Sequence, residues 1–176
     1  MSDQGNIIDK EKTVQNIFVV RKNFSPSLDE HKLEFIATLH GVSYVNDSRS
    51  ISIYETRSSL DNMNAPVILI VKESDETINY YSLTALVREK VKALIYIGKE
   101  PERIQRFFSK ESILFSVADC INDAVRIAFY YGKDGDVVLF SPTSPNHNCF
   151  ENYKMMGSEF RKSVAELFIE KTEQLS

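Results

Sequence analysis

Two short runs of uninterrupted apolar character constrain this chain more than any other feature, "APVILIV" (65–71) and "KALIYIG" (92–98), and "SILFSV" (112–117) and "DVVLFS" (136–141) read as two further strands. A strand with one wet face alternates apolar and polar residues, whereas a strand covered on both faces does not. Between these runs lie stretches with helical spacing. "YSLTALVREKV" (81–91) carries Leu83, Leu86 and Val87 on one side, with Ser82 as an expected N-cap. "EPERIQRFFSK" (100–110) has Pro101 where a first helical turn accepts it. "ADCINDAVRIAFYYG" (118–132) groups Ile121, Ala124, Val125 and Ala128 and stops at Gly132. Strands alternating with helices require crossover connections. The expected fold class is therefore α/β: a Rossmann-like, mostly parallel sheet with helices on both faces.

An antiparallel element precedes this pattern. In "KLEFIATLHGVSYVND" (32–47), Leu33, Phe35, Ala37 and Leu39 alternate, as do Val42 and Tyr44, around His40-Gly41. That predicts an N-terminal β-hairpin. "IYETRSSLDNM" (53–63) predicts a helix of about three turns. Residues 157–175 predict a long final helix with Phe160, Val164, Leu167 and Phe168 as its apolar stripe. Before the hairpin the signals are weaker. Residues 1–12 read as a tail, "TVQNIFVV" (13–20) as a strand or the start of a helix, and Ser25-Pro26-Ser27 as a turn. The expected division is thus a tail and linker over 1–30 and one domain over 31–176.

The charge balance narrows the function classes. Formal net charge is -4 with a pI near 5.5, which offers no broad electropositive footprint for nucleic acid. Arg21-Lys22 and the cations from Arg88 to Lys92 are read as solvated faces. No apolar run approaches the roughly 18 residues of a membrane span, and the polar N-terminus lacks a signal-like h-region. Cys120 and Cys149 stand alone and suggest neither a disulfide framework nor a zinc site. A cytoplasmic protein with no nucleic-acid and no membrane partner is expected.

Ligands of such sheets sit at the carboxyl ends of the strands. The loops in question are "NDSRSIS" (46–52), "VKESDETINY" (71–80), "GKEPE" (98–102) and "SPTSPNHN" (141–148). None of the six glycines is spaced for GxxxxGK[ST] or GxGxxG, so neither phosphate-cradling loop is encoded in these 176 residues. His31, His40 and His147 are far apart and read as turn or surface residues rather than ligands. Without a GxSxG elbow, Ser141 and Ser144 read as loop caps. "ESDE" (73–76) reads as a solvated acidic loop rather than a metal cluster. Tyr80-Tyr81 and Tyr130-Tyr131 read as core edge, because no basic groove accompanies them.

The order of segments carries a resemblance. "HKLEFIATLHGVSYVNDSRS", "APVILIV", "LVREKVKALIYIG", "GDVVLFSP" and "FENYKMMGSEFRKSV" together resemble the C-terminal domain of the peptidoglycan Mur ligases, with the D-glutamate-adding branch closest. The resemblance covers His31 to Leu167. It implies a Rossmann-like domain that binds the incoming amino acid and closes over ATP held elsewhere. The missing P-loop is then explained, since the family's central domain carries it. ATP and Mg are implied only if a partner supplies that domain, and no cofactor is expected on this chain alone.

The resemblance also assigns site positions. It places His31 and Lys32, with Glu34, beside the nucleotide. Asn46-Asp47-Ser48 matches the family's Asn-Asp-Ser, and Arg49 keeps the charge of the family's Lys. The Thr that helps hold the amino acid has become Ile51, and the Lys facing the substrate carboxylate falls on Glu76. In the "SPTSPNHN" loop Asn146 replaces a substrate-contacting Ser, and His147 is a further departure. Tyr153 keeps an aromatic position. The implied ligand-binding set is His31, Lys32, Asp47, Ser48, Arg49, Asn146 and Tyr153, with Ile51, Glu76 and His147 altered and no catalytic or metal-ligating residue. Local structure offers another role for Asp47 and Ser48, capping the following helix. For Asp47 both readings stand, and for Ser48 capping is preferred. Functionally, the pattern suggests a stand-alone module, a pseudoenzyme linked to cell-wall synthesis, that binds a protein partner or a small metabolite. The competing readings are the amino-acid-binding subunit of a split ATP-dependent ligase and a metabolite sensor.

Overall fold

The computed structural model describes residues 27–72, 78–144 and 152–173. Six strands form one sheet: β1 (Glu34–Leu39), β2 (Val42–Asn46), β3 (Val67–Lys72), β4 (Val91–Ile97), β5 (Leu114–Ala118) and β6 (Val137–Phe140). Their spatial order is β1-β2-β6-β3-β4-β5, with only the β1–β2 pair antiparallel. The α/β fold expected from the apolar runs is present. β3 is buried at every position, as an uninterrupted apolar strand between two helical layers must be.

Among the described residues five α-helices cover the sheet: α1 (Ile53–Asp61), α2 (Thr84–Lys90), α3 (Pro101–Phe108), α4 (Ile121–Tyr131) and α5 (Tyr153–Glu173). On one face α4 and α5 pack Ala124, Val125, Phe160 and Val164 against Tyr44, Ile68, Ile70, Val138 and Phe140. The Phe140 and Phe160 rings stack with centroids 5.0 Å apart. On the other face Leu60, Leu83, Val87 and Ile104 meet Val45, Leu69, Val71, Leu94 and Leu139. Pro101 opens α3 and Gly132 closes α4, as their sequence positions require.

The hairpin turns at His40 and Gly41, with φ of 50° and 77°. Two positive φ values in a two-residue loop match the twist of the flanking strands. The strict alternation expected along β1 is broken. The register shifts between Phe35 and Ala37, so Ile36 is an extra residue. Leu33 and Phe35 consequently face the α1 side, whereas Ala37 and Leu39 face the α5 side.

Several local expectations need correction. Ser82 is not an N-cap. The segment opens as a 3-10 turn over Tyr80–Leu83 capped by the Asn79 side chain, and α2 follows from Thr84. The final helix starts at Tyr153, four residues earlier than the spacing indicated. The cations from Arg88 to Lys92 are not simply solvated. Arg88 forms two bonds to Glu111, and Lys92 pairs with Asp136 at 2.6 Å. Lys90 Nζ donates to the carbonyls of Leu60, Asp61 and Met63, satisfying the end of α1. Tyr80 is core, but Tyr81 and Tyr130 are largely exposed. "TVQNIFVV" and "ESDE" lie outside the described residues.

Candidate functional site

The carboxyl ends of β2, β3 and β6 meet at a cluster of buried polar side chains. Asn46, Asp47, Ser48, Ser50, Thr56, Ser141 and Thr143 are all inaccessible to solvent. Such a concentration costs free energy unless each group finds a partner. The β6 end delivers Ser141, α1 delivers Thr56 and Ser59, and the loop after β2 delivers Asp47 to Ser50.

Asp47 is the hub. Its Oδ1 accepts the Leu33 backbone N–H at 3.2 Å and faces Lys32 Nζ at 3.2 Å. Its Oδ2 accepts the Ser141 hydroxyl at 3.0 Å, and Ser141 in turn shares a 2.7 Å bond with Thr56. Lys32 Nζ also donates to Ser50 and Ser59. Asp47 and Ser48 therefore do not cap α1. Ser52 does, by accepting the Glu55 N–H at 3.3 Å, while the Glu55 carboxylate takes the Ile51 N–H and the Ser52 hydroxyl, both at 3.0 Å. Nor are Ser141 and Ser144 loop caps in the expected sense: both are buried, and Ser141 is a strut between strand, helix and Asp47.

A second set surrounds His31, which is buried rather than on the surface. Asn46 Nδ2 donates to His31 Nδ1 and to Glu34 Oε2, each at 2.9 Å, and lies 3.3 Å from the Gly157 carbonyl. Arg161 reaches back from α5 to Glu34 at 2.6 Å and to Glu30 at 3.2 Å. Tyr153 presents its ring edge-on to the imidazole, 6.1 Å between centroids. His31 and Leu33 both have positive φ, 65° and 45°. This conformation is unfavourable for side chains of these types. It is held by the His31 N–H on Glu34, the Arg49 N–H on the His31 carbonyl and the Leu33 N–H on Asp47.

Burial pushes the His31 pKa below its ordinary 6.5, and this outweighs the opposing pull of Glu30 and Glu34. The bond from Asn46 to Nδ1 also suits the neutral ring. The folded state thus binds fewer protons at His31 than the unfolded chain just below pH 6.5. Its stability contribution is complete above that pH and is lost as pH falls towards the depressed folded value. We expect the urea midpoint to drop between about pH 7.5 and about pH 5.5, and the drop to shrink in His31→Gln.

The structure brings His31, Lys32, Asp47, Ser48 and Tyr153 into one corner. Arg49 lies at its edge, half exposed and 3.8 Å from Asp29. Ile51 belongs instead to a neighbouring cavity of about 530 Å³, which it lines with Ser52, Tyr54, Ile78, Asn79 and Thr143. Glu76, Asn146 and His147 lie outside the described residues. Sequence reasoning missed Asn46 as the bridge between His31, Glu34 and α5, although it sits in the quoted Asn-Asp-Ser. It also missed Thr143, a β-branched residue at φ 67° whose hydroxyl is 3.2 Å from that of Tyr80. Among the described residues no group of three or more His, Cys, Asp or Glu could hold a metal ion.

No family model matches the chain. Sequence relatives do. UDP-N-acetylmuramoylalanine--D-glutamate ligase from Cytophaga hutchinsonii is 36% identical over 137 residues, spanning 78% of this chain and 30% of that protein. The same-named ligase from Porphyromonas gingivalis gives the same figures, and that from Bacteroides fragilis is 33% identical over 139 residues. This chain is a Mur ligase C-terminal-like domain. It spans about a third of the length of these ligases. Solved structures agree on the fold. A murein peptide ligase from Psychrobacter arcticus superposes with TM-score 0.55 at 10% identity, covering 77% of this chain and 30% of that one. MurF ligase from Thermotoga maritima gives 0.51 at 14% identity, covering 81% and 33%. Among the described residues no helix is long and apolar enough to cross a membrane.

Proposed function

We propose that this Mur ligase C-terminal-like domain is a binding module of peptidoglycan synthesis that performs no catalysis by itself. One observation carries the reading. The buried polar groups at the strand ends (Asp47, Ser50, Ser141 and Thr56) and the half-buried Lys32 are spent on one another. A cluster closed in this way rigidifies a loop and leaves few donors or acceptors for an incoming substrate. The altered positions Ile51 and Glu76 point the same way. A threonine hydroxyl and a lysine charge suit a dicarboxylate, whereas a methylated surface and a second carboxylate do not. Phosphoryl transfer further needs a phosphate cradle and a metal that position the γ-phosphate, and these 176 residues encode no such loop.

The alternative is an amino-acid-binding subunit that works with a separate ATP-holding chain. It is favoured by the 36% identity to intact ligases and by the retained Asn46-Asp47-Ser48. Turnover separates catalysis from binding. Given ATP, Mg, UDP-N-acetylmuramoyl-L-alanine and D-glutamate, the purified chain is expected to release no ADP. ADP formation that follows the chain through successive purification steps would overturn the proposal.

A further inference from the structure

The cavity beside α1 has a chemistry of its own. Its walls carry Ile51, Ile53 and Ile78, all half-buried, and the ring of Tyr54, which is 75% exposed. No described residue lining it is charged. Its polar groups are largely committed. The Ser52 hydroxyl donates to Glu55, the Asn79 side-chain oxygen Oδ1 accepts the Tyr81 N–H, and the Thr143 hydroxyl is engaged with Pro142 and Tyr80. The Ser82 hydroxyl, buried at the same cavity, has no partner among the described residues.

The N-terminus of α1 would ordinarily attract an anion at this rim, because free N–H groups and the helix dipole both favour one. Here the chain supplies the anion itself. Glu55 holds the Ile51 N–H and the Ser52 hydroxyl. A second carboxylate placed there would meet the like charge of Glu55, which already holds the Ile51 N–H, while an aliphatic group would meet the isoleucine side chains. The volume, about 530 Å³, falls within the range of small-molecule sites.

Building on the binding-module reading, we infer that this cavity takes a neutral aliphatic side chain, of leucine or isoleucine size, and excludes acidic ones. The ligand is either a free amino acid or the same residue within a peptide.

The test follows the isoleucine methyl signals of the full chain by NMR. Titration with N-acetyl-L-leucinamide to about 10 mM, the range of weak single-residue affinities, is expected to shift Ile51, Ile53 and Ile78 saturably. D-glutamate at matched ionic strength should leave them in place. Ile51→Asp, at a half-exposed position, should weaken the leucinamide response at least about tenfold without loss of signal dispersion. Glu55→Gln should leave that response within about twofold and let an acidic ligand in. A response to free leucine equal to that of the capped form assigns a metabolite, and a response to the capped form alone assigns a peptide. Failure of leucinamide to shift these methyls, or a D-glutamate response as strong as that of leucinamide, overturns the inference. ADP release bears on the non-catalytic reading and not on these shifts, so the two can fail separately.

Discussion

Asp47→Ala is expected to destabilise the domain by about 3 kcal/mol, the low end of the cost of removing one partner of a buried ion pair. The low end applies because the Lys32 side chain retains 28% of its exposure while that of Asp47 has none. Three groups lose their acceptor together: Lys32 Nζ, the Leu33 N–H and the Ser141 hydroxyl. Leu33 also loses the bond that holds its positive φ, so the strained turn ahead of β1 relaxes. Asp47→Asn keeps an acceptor at Oδ1 and should cost about half as much. Urea unfolding of the three proteins checks this. Equal stability of Asp47→Ala and the parent chain would mean that the carboxylate does not hold the loop.

Gly157→Ala is the second large effect. A Cβ here would collide with Ser48 Oγ and His31 Nδ1 and lie 3.0 Å from Asn46 Nδ2. Helix α5 crosses the loop after β2 at this point, and only the absence of a side chain permits the approach. Alanine gains about 1 kcal/mol of helix propensity. Against that stands overpacking of about 3 kcal/mol, the upper end of the usual range, because three buried side chains must move at once. The net expectation is a loss of about 2 kcal/mol. It should be accompanied by movement of the His31 ring signals in an NMR spectrum. A stabilised variant with an unmoved His31 would show that the helix clears the loop after all.

The sheet was legible because its signals are local and redundant. Each strand run is bounded by its own turn residues, so an error in one does not spread to the next. The hairpin was legible from His40-Gly41, but the bulge at Ile36 was not. A register shift depends on what the opposite strand presents, and Phe35, Ile36 and Ala37 are all apolar, so the sequence pattern permits either face. Ser82 failed as a cap because Asn79, three residues earlier, caps the 3-10 turn that precedes the α-helix.

The site divides along similar lines. The resemblance brought His31, Lys32, Asp47, Ser48 and Tyr153 to one place, and the structure joins them. What each does there was not legible. A buried histidine and a surface histidine look alike in sequence, and burial of His31 follows from α5 lying over it at Gly157, more than a hundred residues away. The same long separation conceals the Asp47–Ser141 bond, which joins residues 94 positions apart. Capping of α1 by Ser52 rather than by Asp47 or Ser48 was readable in principle. Ser52 with Glu55 three residues on is a capping-box spacing.

On the proposed reading the buried polar corner at the strand ends holds the fold, and the cavity beside it does not suit an acidic amino acid. Calorimetric titration of D-glutamate into the chain tests it most directly. No saturable heat is expected up to about 10 mM, since even a millimolar affinity, about 4 kcal/mol, requires the carboxylate contacts that Ile51 and Glu55 deny it. Saturable binding at millimolar concentration or tighter would show that the site still accepts an acidic amino acid.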